Sequence, residues 1–461
     1  MDSPVCWGCL ERDRIIADLQ RRLAQPEAQV ERLTRQLEQA QRPGQRQAAP
    51  FAQGPPKHHP KKPGRKPGKD YGTQAHRQPP QPEQGDEVHE AAWPDACPDC
   101  GGPLDETQVA HQFQVEIPRK PIHRQFNAHV GQCRRCHRRA QGRHPLQTSD
   151  ALGAAAAQRG PDAPAAVVAL NEGAGLPHGK VTGVLDQLFG IGLSRAGSAH
   201  TALRAARRCE PAYEGLCRRV AEAPWNVLDE TGWHVGGQQA WLHTAVGPQV
   251  TASVIDPTRS GDVAERLRGA AYDGALIHGG WSPYDRFVEA EHQQGLAHLL
   301  RRCRAMRATA TRGAVRFPRR VAELLQAGLD LRDRYAAQEI SRHGLAVARG
   351  QLRNALADLV WPPQTNAANE RLAQHLGHHL DDLFTFLRHP GLDATNWRAE
   401  LAMRFGVILR KVWGGNRTWG GAGAQAVLMS VWRTCRQQGR RALDWLSQLL
   451  RGNPVALTLP P

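Results

Sequence analysis

The chain has 461 residues, enough for about three domains at roughly 150 residues each. Lysine plus arginine number 60 against 44 acids, a net charge of +16, and hydrophobic residues make up 40%. This composition excludes a wholly disordered chain, no run of about 18 apolar residues offers a membrane span, and the basic excess points to an anionic partner, nucleic acid before a membrane surface. The opening residues lack the basic-then-apolar pattern of a secretory signal. A reducing cytoplasm is therefore the expected compartment, where ten cysteines suggest metal ligands more than disulfides.

In chain order, Ile16, Leu19, Leu23, Val30, Leu33 and Leu37 follow the 3-4 spacing of a coiled-coil seam. Residues 1–40 are expected to be a helix that dimerises, weakened where Pro26 takes a seam position. Upstream, Cys6 and Cys9 form a lone CxxC. Residues 41–90 read as a disordered linker. Its first forty positions hold nine basic residues, nine prolines and one acid, so half of the net charge lies there. Lys61, Lys62, Arg65, Lys66 and Lys69 form an extended basic clamp suited to a DNA groove.

Cys97-x-x-Cys100 and Cys133-x-x-Cys136 frame 32 residues. That spacing matches a four-thiolate structural zinc site, and the alternation at 112–117 fits a strand, so 91–145 is expected to be a zinc ribbon. Residues 155–220 read as helices. The pair near 181–189 and 194–208, separated by Gly190-Ile191-Gly192, resembles a helix-turn-helix whose second helix carries Arg195, Arg204, Arg207 and Arg208.

The period then changes. A strand from Trp225 is expected to end at Asp229, followed by a hairpin, 232–235 and 240–246, turning at Gly236-Gly237. A strand at 250–255, a helix near 263–270 and a strand at 275–278 follow. Three antiparallel strands and then an alternating helix and strand are the start of a ribonuclease-H-like core, expected over 221–440. Helical sequence at about 300–390 interrupts that core, and 441–461 reads as a tail. The expected class is multidomain, α-rich α/β. Asp229 closes a buried strand and needs a partner or a metal. Glu400 shares a helix face with Asn396 and Arg404, and Thr395 or Asn396 is expected to cap that helix.

An ordered string of motifs runs through nearly the whole chain. It comprises Cys97-Pro98-x-Cys100-Gly101-Gly102, Asp229-Glu230-Thr231-Gly232-Trp233, Gly280-Trp281-x-x-Tyr284, Ala297-His298-Leu299-Leu300-Arg301, Thr395-Asn396 with Ala399-Glu400, Arg410-Lys411 and Gly420-Gly421-Ala422. This string resembles the transposases of the insertion sequence 66 family. The resemblance implies an Asp-Asp-Glu enzyme that binds element ends in double-stranded DNA and acts as a homo-oligomer in the bacterial nucleoid. Asp229 would be the first carboxylate and Glu400 the last, holding magnesium or manganese for two-metal phosphoryl transfer. Arg404, Arg410 and Lys411 would contact DNA.

Four positions depart from the family pattern. Gly279 stands where the second aspartate is expected, Gly295 where a cysteine is usual, and Trp397 where a second asparagine is usual; Pro26 breaks the heptads. Asp273 lies at the wrong end of its strand, and Asp285 lies beyond it. Two readings follow: a transposase impaired in strand transfer, or a non-catalytic DNA-binding relative that regulates transposition. A zinc hydrolase fits poorly, because a four-thiolate site is closed and no HExxH pattern occurs.

Overall fold

A computed structural model describes residues 88–89, 95–96, 100–105, 117, 121–147, 158–269, 271–453 and 456–457. The leading helix, the basic linker with Lys61, Lys62, Arg65, Lys66 and Lys69, and Cys6, Cys9 and Cys97 lie outside these residues. The chain splits into two units, Met1–Ile117 and Pro118–Pro461. The elements below belong to the second.

A short hairpin comes first. β1 (Val130–Gln132) pairs antiparallel with β2 (Arg139–Gln141), and Cys133 and Cys136 sit in its turn. Next are α1 (Asp162–Val168), running into a π turn at Ala169–Gly173, α2 (His178–Phe189) and α3 (Arg195–Ala221). Gly190 ends α2 at φ +64°, a left-handed conformation that glycine adopts without strain. The Ser194 hydroxyl accepts the Gly197 amide and starts α3. Along α3 the small side chains Ala202, Ala205, Ala206 and Cys209 are buried, while Arg204, Arg207 and Arg208 are exposed.

The central sheet has five strands in the order β5-β4-β3-β6-β7. They are β3 (Trp225–Val235), β4 (Gln238–Val246), β5 (Thr251–Asp256), β6 (Ala275–His278) and β7 (Glu291–Gln294). β3, β4 and β5 form an antiparallel meander; β6 runs parallel to β3, and β7 parallel to β6. Helix α4 (Gly261–Arg268) links β5 to β6.

Two features of this sheet differ from the sequence expectation. The strand does not stop at Asp229: Asp229–Gly232 pair residue by residue with Thr244–Trp241, so 225–235 is one strand. Pairing with β4 overrides the low strand propensity of Asp-Glu-Thr-Gly. The sequence pattern also gives no strand at β7, whose residues Glu-His-Gln-Gln are all polar. One of its two buried side chains is satisfied by the neighbouring helical region: Gln293 donates to the Leu383 carbonyl at 3.2 Å and accepts the Phe386 amide at 2.9 Å.

Helices cover both faces. Leu228, Ala245, Ala252 and Leu276 share a core with α3, with α10 (Trp419–Gln437) and with α11 (Ala442–Leu450). Trp445 and Leu446 of α11 are buried in it, so the segment read as a tail contributes to the core. Val227, Val246 and Ile277 point the other way, as two-residue alternation requires. They meet α5 (Leu296–Thr309), α6 (Arg316–Ala336), α7 (Arg342–Val360) and α8 (Ala367–His378), whose Leu296, Leu325, Leu356 and Leu372 are fully buried. These four helices occupy the stretch expected as the insertion. Helix α9 (Trp397–Trp413) then packs on β3 and β4 through Leu409, against Trp233 and Leu242. No described helix is long and apolar enough to cross a membrane.

Candidate catalytic centre

Asp229 lies on the face of β3 that carries Val227, towards α5 and α9, whereas Glu230 points to the opposite face. The two adjacent acids meet different surroundings. Glu230 accepts the Tyr284 hydroxyl at 2.7 Å and the Arg259 guanidinium at 2.5 Å. Arg259 is itself stacked on the rings of Trp241 and Trp281, 4.9 and 4.7 Å from their centroids. Glu230 is thus a neutralised structural acid.

Among the described residues, the Asp229 carboxylate accepts its neighbour's amide, Glu230 N–H, at 3.0 Å, and the Asn396 side-chain amide at 3.3 Å. Burial raises its carboxyl to about 7, and the nearby Glu230 and Glu400 carboxylates add to the rise. A buried acid short of positive charge is the environment a divalent cation would complete.

Glu400 sits in the first turn of α9, near the positive end of the helix dipole. Its carboxylate lies 2.8 Å from the Arg301 guanidinium and 3.3 Å from His298 Nε2, both on α5. Asn396 occupies the cap position of α9, but its side chain does not cap the helix. Its Nδ2 instead reaches Asp229 and lies 3.0 Å from His298 Nε2, while its Oδ1 is buried with no partner. The capping expectation is corrected accordingly: the amide bridges the two carboxylate-bearing elements. Burial and the Arg301 charge lower the His298 pKa.

Gly279 follows β6 and borders the same cluster. A Cβ placed on it would lie 3.6 Å from His298 Nε2, an ordinary contact, and its backbone conformation suits any residue. Gly280 differs. Its φ is +82°, and a Cβ there would come within 2.5 Å of Gln294 and 3.1 Å of His375. At Gly295, a Cβ would lie 3.2 Å from the orphaned Asn396 Oδ1. Neither nearby acid fills the place of the second carboxylate. Asp273 is exposed ahead of β6, and Asp285, in the 3-10 turn Ser282–Arg286, lies 3.9 Å from His378 Nε2.

Residues 157–424 match the family model described as Transposase IS66 family, a span that holds the whole central sheet, the helical insertion and α9. The chain belongs to the IS66 transposase family. No curated protein matches it. Membership makes this a transposase-like protein, and the family implies divalent metal and DNA as its reactants.

The other expected site residues of the transposase divide into distinct environments. In the β1–β2 turn, backbone amides of Cys136 and Arg135 together with the Cys136 thiol lower the Cys133 pKa. His137 turns the backbone there at φ +56°. The turn thus places both cysteines of the second CxxC pair between two short paired strands. Cys100 belongs to the other unit and precedes Gly101 at φ +72°. Arg404 is exposed and lines a cavity of about 500 Å³ with Trp397, Leu401, Phe405 and Arg433. Arg410 is committed to the Gly232 carbonyl of β3, and Lys411 is exposed on α9.

The sequence reading did not single out the histidines His375, His378 and His379. They gather near Asp285 only because the fold brings the end of α8 beside the turn after β6. No local spacing signals an arrangement whose members stand more than ninety residues apart.

Proposed function

We propose that this transposase binds its element's ends in double-stranded DNA through a ribonuclease-H-like core in which two of three catalytic carboxylates, Asp229 and Glu400, persist. Gly279 takes the place of the third and impairs phosphoryl transfer. The observation that carries this reading is convergence: Asp229, position 279 and Glu400 all border the His298–Asn396 pair. The strand order, a three-stranded meander extended by two parallel strands, supports the ribonuclease-H-like assignment.

Magnesium or manganese, held between three carboxylates, would activate the attacking hydroxyl and neutralise the leaving oxygen. The residues present fit such ions incompletely. Asp229 has the buried, uncompensated charge of a ligand, and Arg301 braces Glu400, but with glycine at 279 the set lacks one carboxylate. Asn396 orients Asp229, and His298 and Arg301 hold Glu400 against α5.

The rest of the reading concerns grip. Cys97, Cys100, Cys133 and Cys136 hold a structural zinc. Lys61, Lys62, Arg65, Lys66 and Lys69 form a tethered DNA-binding arm, assisted by Arg404 and Lys411, whereas Arg410, bonded to the Gly232 carbonyl, braces α9 on β3 instead, and the protein works as a homo-oligomer. DNA affinity then falls steeply with salt, and the slope lessens when the basic residues of 57–69 are neutralised.

A cleavage and strand-transfer assay on the element's own ends, with magnesium or manganese, tests the catalytic claim. Gly279→Asp is expected to raise the rate by about a hundredfold or more, because each 1.4 kcal/mol or so of restored transition-state binding is tenfold. Equal rates for the two proteins would refute the assignment of position 279. Gly279 also favours a second reading, a non-catalytic DNA-binding relative; end binding without cleavage by either protein would support it.

A further inference from the structure

We propose that Asp285, His378 and His379 form a second metal site, for a dication of the zinc, nickel or cobalt class, that fastens the turn after β6 to the end of α8. This inference is independent of the catalytic reading.

One donor atom from each of the three residues lies within 4.8 Å of the other two. Asp285 Oδ2 and His378 Nε2 are 3.9 Å apart, too far for a hydrogen bond between them. Tetrahedral zinc, with bonds of about 2.0–2.2 Å, needs its donors somewhat over 3 Å apart. The His378 side chain is 72% exposed and meets the His379 ring edge-on, 4.7 Å between centroids, so a side-chain rotation alone would close the distance. His379 is nearly buried, and its Nδ1 faces Asp382 Oδ2 at 3.0 Å. An outer carboxylate in that position fixes the tautomer and leaves Nε2 with its lone pair available, as it does for most metal-bound histidines.

The donor set decides the class of ion. Two imidazoles and one carboxylate suit zinc, cobalt or nickel, whereas magnesium and calcium take oxygen ligands. The Asp229–Glu400 centre, all carboxylate, has the opposite preference, so the two sites separate by chemistry. Three protein donors leave a fourth position open. His375, one turn before His378 and His379, has its ring 5.0 Å from that of His379 and stands next to it.

The consequence is mechanical. Asp285 lies six residues after Gly279, and His375 packs against Gly280. A metal here would lock the loop that sets the position of residue 279 onto the helical insertion.

Cobalt titrated into the full-length protein, in excess magnesium, tests the site. The expected result is one equivalent of cobalt with nitrogen and oxygen ligands, showing weak visible bands and no thiolate charge-transfer band. Sulfur-bound cobalt at the cysteine knuckles adds its own distinct band. Cobalt should also raise the thermal midpoint. His378→Ala and Asp285→Asn change side chains outside the core, and each should weaken this nitrogen–oxygen site about tenfold or more and remove that rise. Cys133→Ser with Cys136→Ser should remove only the sulfur band. The proposal is overturned if several-fold excess cobalt gives no nitrogen–oxygen signal, or if the signal persists in the His378→Ala, Asp285→Asn double variant.

Discussion

Asp229 and Glu230 are neighbours in sequence and opposites in structure. One points into a cluster short of positive charge; the other is clasped by Arg259 and Tyr284. The alternation of a strand sends them to different faces, and the faces differ in what they supply. A conspicuous acidic pair therefore contains one acid paired with a cation and a hydroxyl and one that is buried without a cationic partner.

Four measurements would break or sharpen this contrast. The largest effect is expected at Glu172, a third buried acid, remote in sequence from the centre. Among the described residues its side-chain partner is the Gln425 amide, at 2.7 Å. Burial raises its carboxyl to about 8, against the opposing influence of Gln425 and the Arg433 charge. The folded state therefore holds a proton that the unfolded state releases between about pH 4.5 and pH 8. Stability should fall as pH rises through that window and level off above it, by a few kcal/mol at about 1.4 kcal/mol per unit. Glu172→Gln should flatten the slope in denaturant titrations at the two ends of the window. A slope unchanged by the substitution would show that an unpaired buried acid is not the liability claimed here.

Next comes Glu230→Ala, which strands a buried hydroxyl and a half-exposed guanidinium and should cost about 2–3 kcal/mol in a denaturant titration. Gly280→Ala should cost about 2 kcal/mol, through its left-handed backbone and the tight approach to Gln294, whereas Gly279→Ala should stay within about 0.5 kcal/mol. Comparable losses at the two glycines would contradict the ordinary contact and unstrained backbone at 279. The smallest shift is expected for Asp229→Asn. It removes a buried charge while keeping the shape, so stability should hold or rise by up to about 1 kcal/mol. Any metal-dependent cleavage should vanish with it.

Much of the catalytic body was legible in sequence because it follows simple periods. The hairpin turn at Gly236-Gly237, the strand at 275–278 and the helices flanking them follow from apolar spacing and turn residues. What escaped did so for physical reasons. Strand β7 carries no apolar residue; its Gln293 is buried by bonding to backbone in the region around 383–386, far along the chain. The continuity of β3 through Asp229–Gly232 depends on a partner strand, not on its own residues. Asn396 reads locally as a helix cap, yet two partners from distant elements draw its amide away. Asp229 and Glu400 were found as residues, but only the fold shows that Asn396 and His298 join them.

The backbone at Gly279 lies outside the left-handed region, and a Cβ at the position would meet only ordinary contacts with the His298 ring, at 3.6 Å and beyond. On the proposed reading, a protein with glycine at 279 would be dormant rather than ruined: one residue, with no rearrangement of the backbone around it, would separate it from a full set of carboxylates.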